Sequence, residues 1–377
     1  MAGADAIARI IDGQWPFIEQ HCNAYQLRIF HAIRRCRTPA LGGHLYVCDN
    51  CGKHHHRYNS CRNRHCAQCQ NTQKERWIEA RQQQFINCPY YHLVFTLPHQ
   101  LNELCLVYPR QIYALLMKTA WQTINDFGWN HKYLGAQTGA TMVLHTWGSN
   151  LSFHPHVHCM VPGGGVTLAG KWKPANGKGK FLFPVKAMAK VFRGLFLDQL
   201  ELLLQQLGLD DAQELFRQLL AKKWVVYAKP TCGGKKGLVQ YLARYTHNIA
   251  ISHHRIIQYD QQQVTFRYKD YRHANLNKVM TLSATEFVRR LCLHFLPKGF
   301  CRIRHYGILA AAWKHRVFPL TTQKQPAKWQ EFWESKGLMV NRCPQCKTGT
   351  LVYLYPLDPA RGPPNKDSFP TTYSSKP

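Results

Sequence analysis

The chain has 377 residues, of which 45% are hydrophobic, and its 49 lysines and arginines against 20 acidic residues give a formal net charge of +29. This apolar fraction suffices for the cores of two or three domains, and no stretch is long and apolar enough to span a bilayer. The charge favours a nucleic-acid partner over a membrane-surface or ribosome-associated role, because basic side chains displace counterions from phosphates. Aromatic residues also interleave with the basic residues along this chain, which is typical of nucleic-acid binding.

The first quarter of the chain predicts three segments. Residues 1–35 have the apolar spacing of an N-terminal helical segment. Residues 36–72 are dense in cysteine and histidine and predict a small zinc-binding domain, and residues 73–90 predict a connector helix. The N-terminus lacks the basic start and apolar core of a signal peptide. We therefore expect the 15 cysteines to lie in a reducing cytoplasm, where metal binding is favoured over disulfides.

Residues 91–320 predict an α+β domain, because strands and helices follow one another in uneven order. The predicted strands are Tyr91–Leu97, Thr141–Trp147, Phe153–Val161, Trp224–Ala228, Ala250–Tyr259 and Val264–Tyr268. The predicted helices are Arg110–Phe127, Val185–Leu207, Asp211–Lys222, Leu238–Tyr245, Thr285–Phe295 and Gly307–Lys314. Residues 321–355 predict a C-terminal segment, and the proline-rich residues 356–377 predict a disordered tail.

Two Cys-x-x-Cys pairs stand fourteen residues apart in the zinc-binding segment. Four thiolates at this spacing are typical of a closed, tetrahedral, structural zinc site. The sequence therefore predicts one zinc ion bound by Cys48, Cys51, Cys66 and Cys69.

The same segment carries further candidate ligands in Cys36, His44, Cys61 and His65. They either bind a second zinc ion or pack around the first. Near the C-terminus, Cys343 and Cys346 form a lone pair that cannot fill a zinc shell by itself.

Three histidines alternate in the apolar run from Phe153 to Val161. Alternate side chains of a strand share one face, so His154, His156 and His158 are expected on one side. Neutral imidazole is a common metal ligand and favours Mn²⁺ over Mg²⁺. We expect His156 and His158 to bind a catalytic divalent ion, with His145 of the neighbouring strand as the third ligand and His154 as support.

Tyr241 and Tyr245 are spaced to share one face of a helix. Such a pair usually contributes to packing, but a tyrosine also becomes a nucleophile when a cation lowers its phenol pKa from about 10. The neighbouring Arg244 and His247 are basic. We therefore predict both tyrosines as catalytic residues.

These motifs together resemble a known superfamily. His156-Val157-His158 with Tyr241-x-x-x-Tyr245 is similar to the paired motifs of the HUH endonucleases. Several segments resemble, in order, the two-tyrosine transposases of rolling-circle insertion sequences. They are CRTPALGGHLYVCDNCG, YNSCRNRHCAQCQ, VLHTWGSNLSFHPHVHCMVPGGG, YLARYTHNIAIS and LPKGFCRIRHYGIL.

The resemblance implies an HUH-type central antiparallel sheet flanked by helices and preceded by the zinc-binding domain. It implies that residues 91–320 are the catalytic domain of a transposase that nicks single-stranded DNA at element ends. Tyr241 and Tyr245 would act in turn through 5′-phosphotyrosine links. We expect no nucleotide cofactor, because the covalent link conserves the bond energy, and a location in the bacterial cytoplasm at the nucleoid.

Two other functions remain open from the sequence. One is a plasmid replication initiator or relaxase with the same chemistry, against which the zinc-binding segment argues. The other is a non-enzymatic, zinc-containing DNA-binding regulator. The charge fits such a regulator, but the tyrosine pair and the histidine strand would then have no role.

Overall fold

The computed structural model describes residues 3, 5–70, 74–75, 77, 85–175, 182–209, 211–231, 249–270, 273, 276–313, 333–334, 337 and 339–359. The helices are α1 (Ala6–Gly13), α2 (Trp15–His21), α3 (Ala24–Arg35), α4 (Asn102–Val107), α5 (Pro109–Trp129), α6 (Val185–Gln206), α7 (Gln213–Ala221) and α8 (Ala284–Cys292). The strands are β1 (Gly43–Cys48), β2 (His54–Tyr58), β3 (Tyr90–Thr96), β4 (Gly139–Trp147), β5 (Phe153–Pro162), β6 (Gly164–Val166), β7 (Trp172–Pro174), β8 (Val225–Pro230), β9 (Ile256–Tyr259), β10 (Gln263–Asp270), β11 (Leu276–Ser283), β12 (Ile303–Gly307) and β13 (Leu351–Leu357). Within this described part, no helix combines the length and the hydropathy that a bilayer crossing needs.

The described chain divides into two compact units that are each discontinuous in sequence. One contains Met1–Gln73, Ile251–Cys292 and Lys324–Pro377, and the other contains Lys74–Ala250 and Leu293–Gln323. The segmentation expected from the sequence followed chain order, with residues 91–320 as one domain. In the structure, Ile251–Cys292 instead groups with the N-terminal segment.

The larger unit is built on a five-stranded sheet in the order β12-β4-β5-β3-β8. Every neighbouring pair is antiparallel. Strand residues alternate between faces, and one face packs against helices α5 and α6. The apolar side chains on this face include Leu93, Phe95, Leu144, Val157 and Cys159, which join Ile112, Leu116, Phe192 and Phe196 of the two helices in one core. This arrangement confirms the predicted α+β class with an antiparallel sheet flanked by helices.

Among the described residues, the smaller unit holds helices α1–α3 and α8 and two three-stranded sheets. One sheet has the order β11-β10-β9, and the other has the order β13-β1-β2. Helix α3 begins in a capping box, in which the Asn23 side chain accepts from the backbone N–H of Gln26 and the Gln26 side chain accepts from that of Asn23. In the sheet β13-β1-β2, strands β1 and β2 of the cysteine-rich segment pair with a strand about 300 residues later in the chain.

Several predicted elements differ from the structure. Residues 36–70 contain the hairpin of β1 and β2, and β11 and β13 were not predicted. The helix predicted over Gly307–Lys314 is wrong, because strand β12 runs to Gly307 and is followed by a short 3₁₀ turn at Ala311–Trp313. Gly307 has φ +56°, and a Cβ there would lie 2.1 Å from the Thr138 carbonyl oxygen. This close approach excludes a side chain at the position.

Other predicted elements lie outside the described residues. They are the tyrosine helix at Leu238–Tyr245, residues 73, 76 and 78–84 of the connector helix predicted over residues 73–90, and residues 360–377 of the tail. At the other end of that connector, residues 85–90 are not helical, and strand β3 begins at Tyr90. Pro356 and Leu357, predicted to begin the tail, belong to strand β13.

Candidate functional site

Three histidines meet on the face of the five-stranded sheet that does not carry the helix-packed core. Strands β4 and β5 pair so that His145 lies directly opposite His156, and His158 follows two residues along β5. All three side chains are buried. Their ligand nitrogens lie within 4.8 Å of one another. Alternation along β5 places His156 and His158 on one face of the sheet. The register of β4 with β5 adds His145 to the same face.

The hydrogen bonds of His156 fix how its ring is protonated. Its Nδ1 lies 2.6 Å from the carbonyl oxygen of His154, and a carbonyl only accepts, so this Nδ1 carries the hydrogen. The lone pair of His156 is therefore on Nε2, which lies 3.0 Å from Nε2 of His158. Two ligands in adjacent positions of an octahedral ion with bonds of about 2.1 Å are also about 3 Å apart.

His92 of strand β3 is a member of this cluster that the sequence analysis missed. Its Nε2 lies 2.8 Å from Nδ1 of His158, and the two rings stack with centroids 5.0 Å apart. When His158 donates its Nδ1–H to His92, the Nε2 lone pairs of His156 and His158 both face the centre of the trio. His92 stands alone in an apolar run, so no motif marks it in the sequence. The one signal was that alternation along the strand places His92 on a defined face, which is the face of His158 once the strand pairs with β5.

Burial keeps the imidazoles of His92, His156 and His158 neutral, which is the form that binds metals. Desolvation lowers the pKa of His156 to about 4 and that of His92 to about 3, and it lowers the pKa of His158 well below its ordinary value. Within the described part of the chain, no carboxylate joins the trio. A bound dication would therefore keep its full charge for an anionic ligand.

The remaining residues predicted for this site have different positions. His154 is exposed and is not among the three grouped ligands. Its backbone carbonyl lies against Nδ1 of His156, and the centroids of the two rings are 5.2 Å apart. Tyr241 and Tyr245, with Arg244 and His247 beside them, lie outside the described residues.

Two groups of four cysteines lie in the smaller unit. The first is formed by Cys36, Cys61, Cys66 and Cys69. Sγ of Cys69 lies 3.6 Å from Sγ of both Cys36 and Cys61, close to the spacing of about 3.8 Å between thiolates bound to one tetrahedral zinc ion. Hydrogen bonds from these neighbouring thiols, Cys36 first, lower the pKa of Cys69, which favours the thiolate.

The zinc shell predicted from Cys48, Cys51, Cys66 and Cys69 is thus wrong in its grouping. The structure places Cys48 and Cys51 with Cys343 and Cys346 instead. Sequence spacing made the two pairs look like one site, but strand β1 carries Cys48 alongside β13, where it lies opposite Leu351. Cys343 and Cys346 are accordingly not a lone pair.

The four additional zinc candidates also divide. Cys36 and Cys61 are members of the first cysteine group, whereas neither described four-cysteine group includes His44 or His65. The His44 ring lies at the edge of the Tyr353 ring, with centroids 5.9 Å apart.

Comparison with known proteins gives two family matches. A model described as "Transposase zinc-binding domain" matches residues 10–97, and one described as "Putative transposase" matches residues 139–316. The first covers Cys36 to Cys69, and the second covers the histidine trio. No solved structure matches the chain significantly.

Two curated relatives are similar over most of their length. A putative transposase of Sinorhizobium fredii is 38% identical over 364 residues, which cover 90% of this chain and 91% of the relative. The transposase for insertion sequence element IS801 of Pseudomonas savastanoi pv. phaseolicola is 31% identical over 290 residues, covering 73% and 68%. The chain therefore belongs to the IS91 family of HUH rolling-circle transposases with an N-terminal zinc-binding domain.

Proposed function

We propose that this transposase nicks single-stranded DNA at element ends with a metal-assisted tyrosine nucleophile. The observation that carries the proposal is the converging set of buried imidazole nitrogens of His145, His156 and His158. The name of one relative, a transposase for an insertion sequence element, supports element ends as the substrate. The net charge of +29 supports binding to a polyanion.

The histidine trio would hold a divalent ion, Mg²⁺ or Mn²⁺. When bound, such an ion polarises the scissile phosphate and offsets charge that develops in the transition state. The protein's own contribution is to hold the rings in place. The His154 carbonyl fixes the ring of His156, and His92 would accept a hydrogen bond from Nδ1–H of His158, which leaves Nε2 of His158 to bind the ion.

Tyr241 and Tyr245 would supply the nucleophile. The phenolate oxygen attacks phosphorus, the bond from phosphorus to the 3′ oxygen breaks, and this oxygen leaves and takes up a proton as a free 3′-hydroxyl. The product is a 5′-phosphotyrosine link whose energy is retained for rejoining, so no nucleotide cofactor is required. Two tyrosines allow two strand ends to be handled in turn. This part of the proposal is supported by their spacing and by the family.

We assign structural zinc to the group of Cys36, Cys61, Cys66 and Cys69. The match to a zinc-binding domain over residues 10–97 and the sulfur spacing support this assignment. A closed four-thiolate shell has no open coordination position, so this zinc would stabilise the fold and take no part in the nicking reaction.

The test is cleavage of labelled single strands that contain either end of the insertion element. We expect cleavage with Mg²⁺ or Mn²⁺, none in EDTA, and a loss of at least about 100-fold in rate for His156→Ala combined with His158→Ala. The matched control is His154→Ala, which removes an exposed ring and retains the carbonyl that fixes His156. Cleavage by the double variant at the rate of the control would contradict the assignment of the trio.

A further inference from the structure

The cysteine pairs at the two ends of the chain adopt the same local conformation. In the first, the backbone N–H of Gly52 donates to the carbonyl of Cys48 at 3.0 Å, and in the second that of Lys347 donates to the carbonyl of Cys343 at 3.0 Å. The residue after each pair is left-handed, with φ +67° at Gly52 and +61° at Lys347. A non-glycine residue with this φ is strained. The two turns are thus equivalent, although their sequences lie about 300 residues apart.

The sulfur atoms of the two turns converge. Sγ of Cys48 lies 3.6 Å from Sγ of Cys346, and Sγ of Cys51 lies 3.8 Å from Sγ of Cys343. Disulfide sulfurs would be about 2.05 Å apart, whereas thiolates on one tetrahedral zinc ion are about 3.8 Å apart. The geometry therefore suits a metal ion with four sulfur ligands.

Hydrogen-bond donors surround the sulfurs as they would surround thiolates. The backbone N–H of Cys51 donates to Sγ of Cys48 at 3.5 Å, and that of Gly349 donates to Sγ of Cys346 at 3.3 Å. Nε2 of His55 lies 3.3 Å from Sγ of Cys343. Such donors orient metal ligands and tune their charge.

The turns are also joined around the sulfurs. The Asn50 side chain donates to the Thr348 hydroxyl at 2.9 Å, and the backbone N–H of Thr350 donates to the Asp49 carboxylate at 2.7 Å. At Gly349, an added Cβ would lie 2.5 Å from Sγ of Cys48. The absence of a side chain at this position is therefore required for the two turns to close on each other.

We propose that Cys48, Cys51, Cys343 and Cys346 bind a second structural zinc ion, in a ribbon assembled from the two ends of the chain. This ion would fasten strand β13 to strand β1 and make the C-terminal segment an integral part of the zinc-binding unit. The inference is independent of the proposed nicking chemistry, because it concerns metal content and folding.

The test is the number of zinc ions per chain, measured by native mass spectrometry of the full-length protein. His156→Ala and His158→Ala are included in every sample so that zinc on the histidine trio is not counted. We expect two ions in this parent, one after Cys343→Ser with Cys346→Ser, and one after Cys36→Ser with Cys61→Ser. Cys301→Ser, at an exposed cysteine outside both groups, should retain two.

One zinc ion in the parent would overturn the proposal even if the serine variants fail to fold. Two zinc ions after Cys343→Ser with Cys346→Ser would overturn it as well, since the second ion would then lie elsewhere.

A variant that keeps every ligand gives a sharper second arm. Gly349→Ala places a methyl group against Sγ of Cys48, so one of the two zinc ions should pass to a chelator at least about tenfold faster than in the parent. Gly13→Ala is the matched control, because a Cβ there meets no atom within 4 Å. Equal release rates in the two variants would show that the turns do not close on a metal.

Discussion

At the scale of single residues, the candidate site depends on what holds the two central imidazoles. The His154 carbonyl accepts a hydrogen bond from Nδ1 of His156, and Nε2 of His92 lies against Nδ1 of His158. Outer partners of metal-binding histidines commonly change metal affinity by 10- to 100-fold when removed. His92 is therefore expected to be a positioning residue, in contact with a ligand and not with the substrate.

Replacing His92 tests this role. We expect His92→Leu to weaken Mn²⁺ binding by about 10- to 100-fold, because the Nδ1–H of His158 loses its acceptor. His92→Gln, which retains an acceptor oxygen, should recover most of the affinity. Isothermal titration calorimetry measures both. Equal loss in the two variants, with a lowered melting temperature in both, would show that His92 only packs.

Another buried histidine, His294, links stability to pH. Its Nδ1 lies 3.3 Å from the Thr146 hydroxyl and its Nε2 lies 3.3 Å from the Leu151 carbonyl, and burial lowers its pKa to about 4. Below about pH 6.5 the imidazole of His294 is protonated in the unfolded chain but stays neutral in the folded chain. The stability that this histidine contributes is thus present above pH 6.5 and is lost as the pH falls towards 4.

The difference in the free energy of unfolding between the wild type and His294→Gln should narrow by about 2 kcal/mol from pH 7 to pH 5, since a shift of one pKa unit is worth about 1.4 kcal/mol. Urea denaturation at each pH measures it. A difference that stays constant would mean that His294 has the same pKa in the folded and unfolded chains.

At the scale of secondary-structure elements, strand alternation made the histidine face predictable. The period of two separates His156 and His158 from Val157 and Cys159 in any strand. The partner His145 could be proposed because its strand precedes β5 across a short turn. His92 could not, because the pairing of β3 with β5 is not encoded by any local pattern.

The two cysteine groups show that sequence spacing alone does not predict which cysteines bind the same ion. Two Cys-x-x-Cys pairs fourteen residues apart satisfy a zinc pattern, yet strand pairing decides which sulfurs meet. The pairing of β1 with β13 joins segments about 300 residues apart in sequence. No local sequence pattern reveals a contact between segments so far apart. From the sequence, Cys343 and Cys346 could therefore be interpreted only as two of the four ligands of a site.

The helix layer behind the histidine face should set the stability of the larger unit. Phe192 of α6 is fully buried, and its ring meets that of Phe95 with centroids 5.0 Å apart. Phe192→Ala should lower the free energy of unfolding by about 3–5 kcal/mol. The neighbouring Val191 is 37% exposed, and Val191→Ala should cost well under about 1 kcal/mol. Urea denaturation that finds equal costs would contradict the assigned core.

At the scale of the whole molecule, chain order and spatial organisation differ. The smaller unit collects three separate segments, and the larger unit collects two. The fold class could be predicted, since it follows from the mixture of strands and helices. The grouping of Ile251–Cys292 with the N-terminal segment depends on contacts between segments that are distant in sequence, and no local pattern encodes it. The net charge of +29 over the whole chain fits a transposase, whose substrate is the polyanion DNA.

In the nicking reaction that we propose, a tyrosine of this chain becomes covalently joined to DNA. The most direct measurement is peptide mapping by mass spectrometry of the SDS-resistant adduct formed with single-stranded element-end DNA and Mn²⁺. We expect a nucleotide attached to Tyr241 or Tyr245, and no adduct when both are changed to phenylalanine. An adduct on another residue, or one that persists in Tyr241→Phe with Tyr245→Phe, would contradict it.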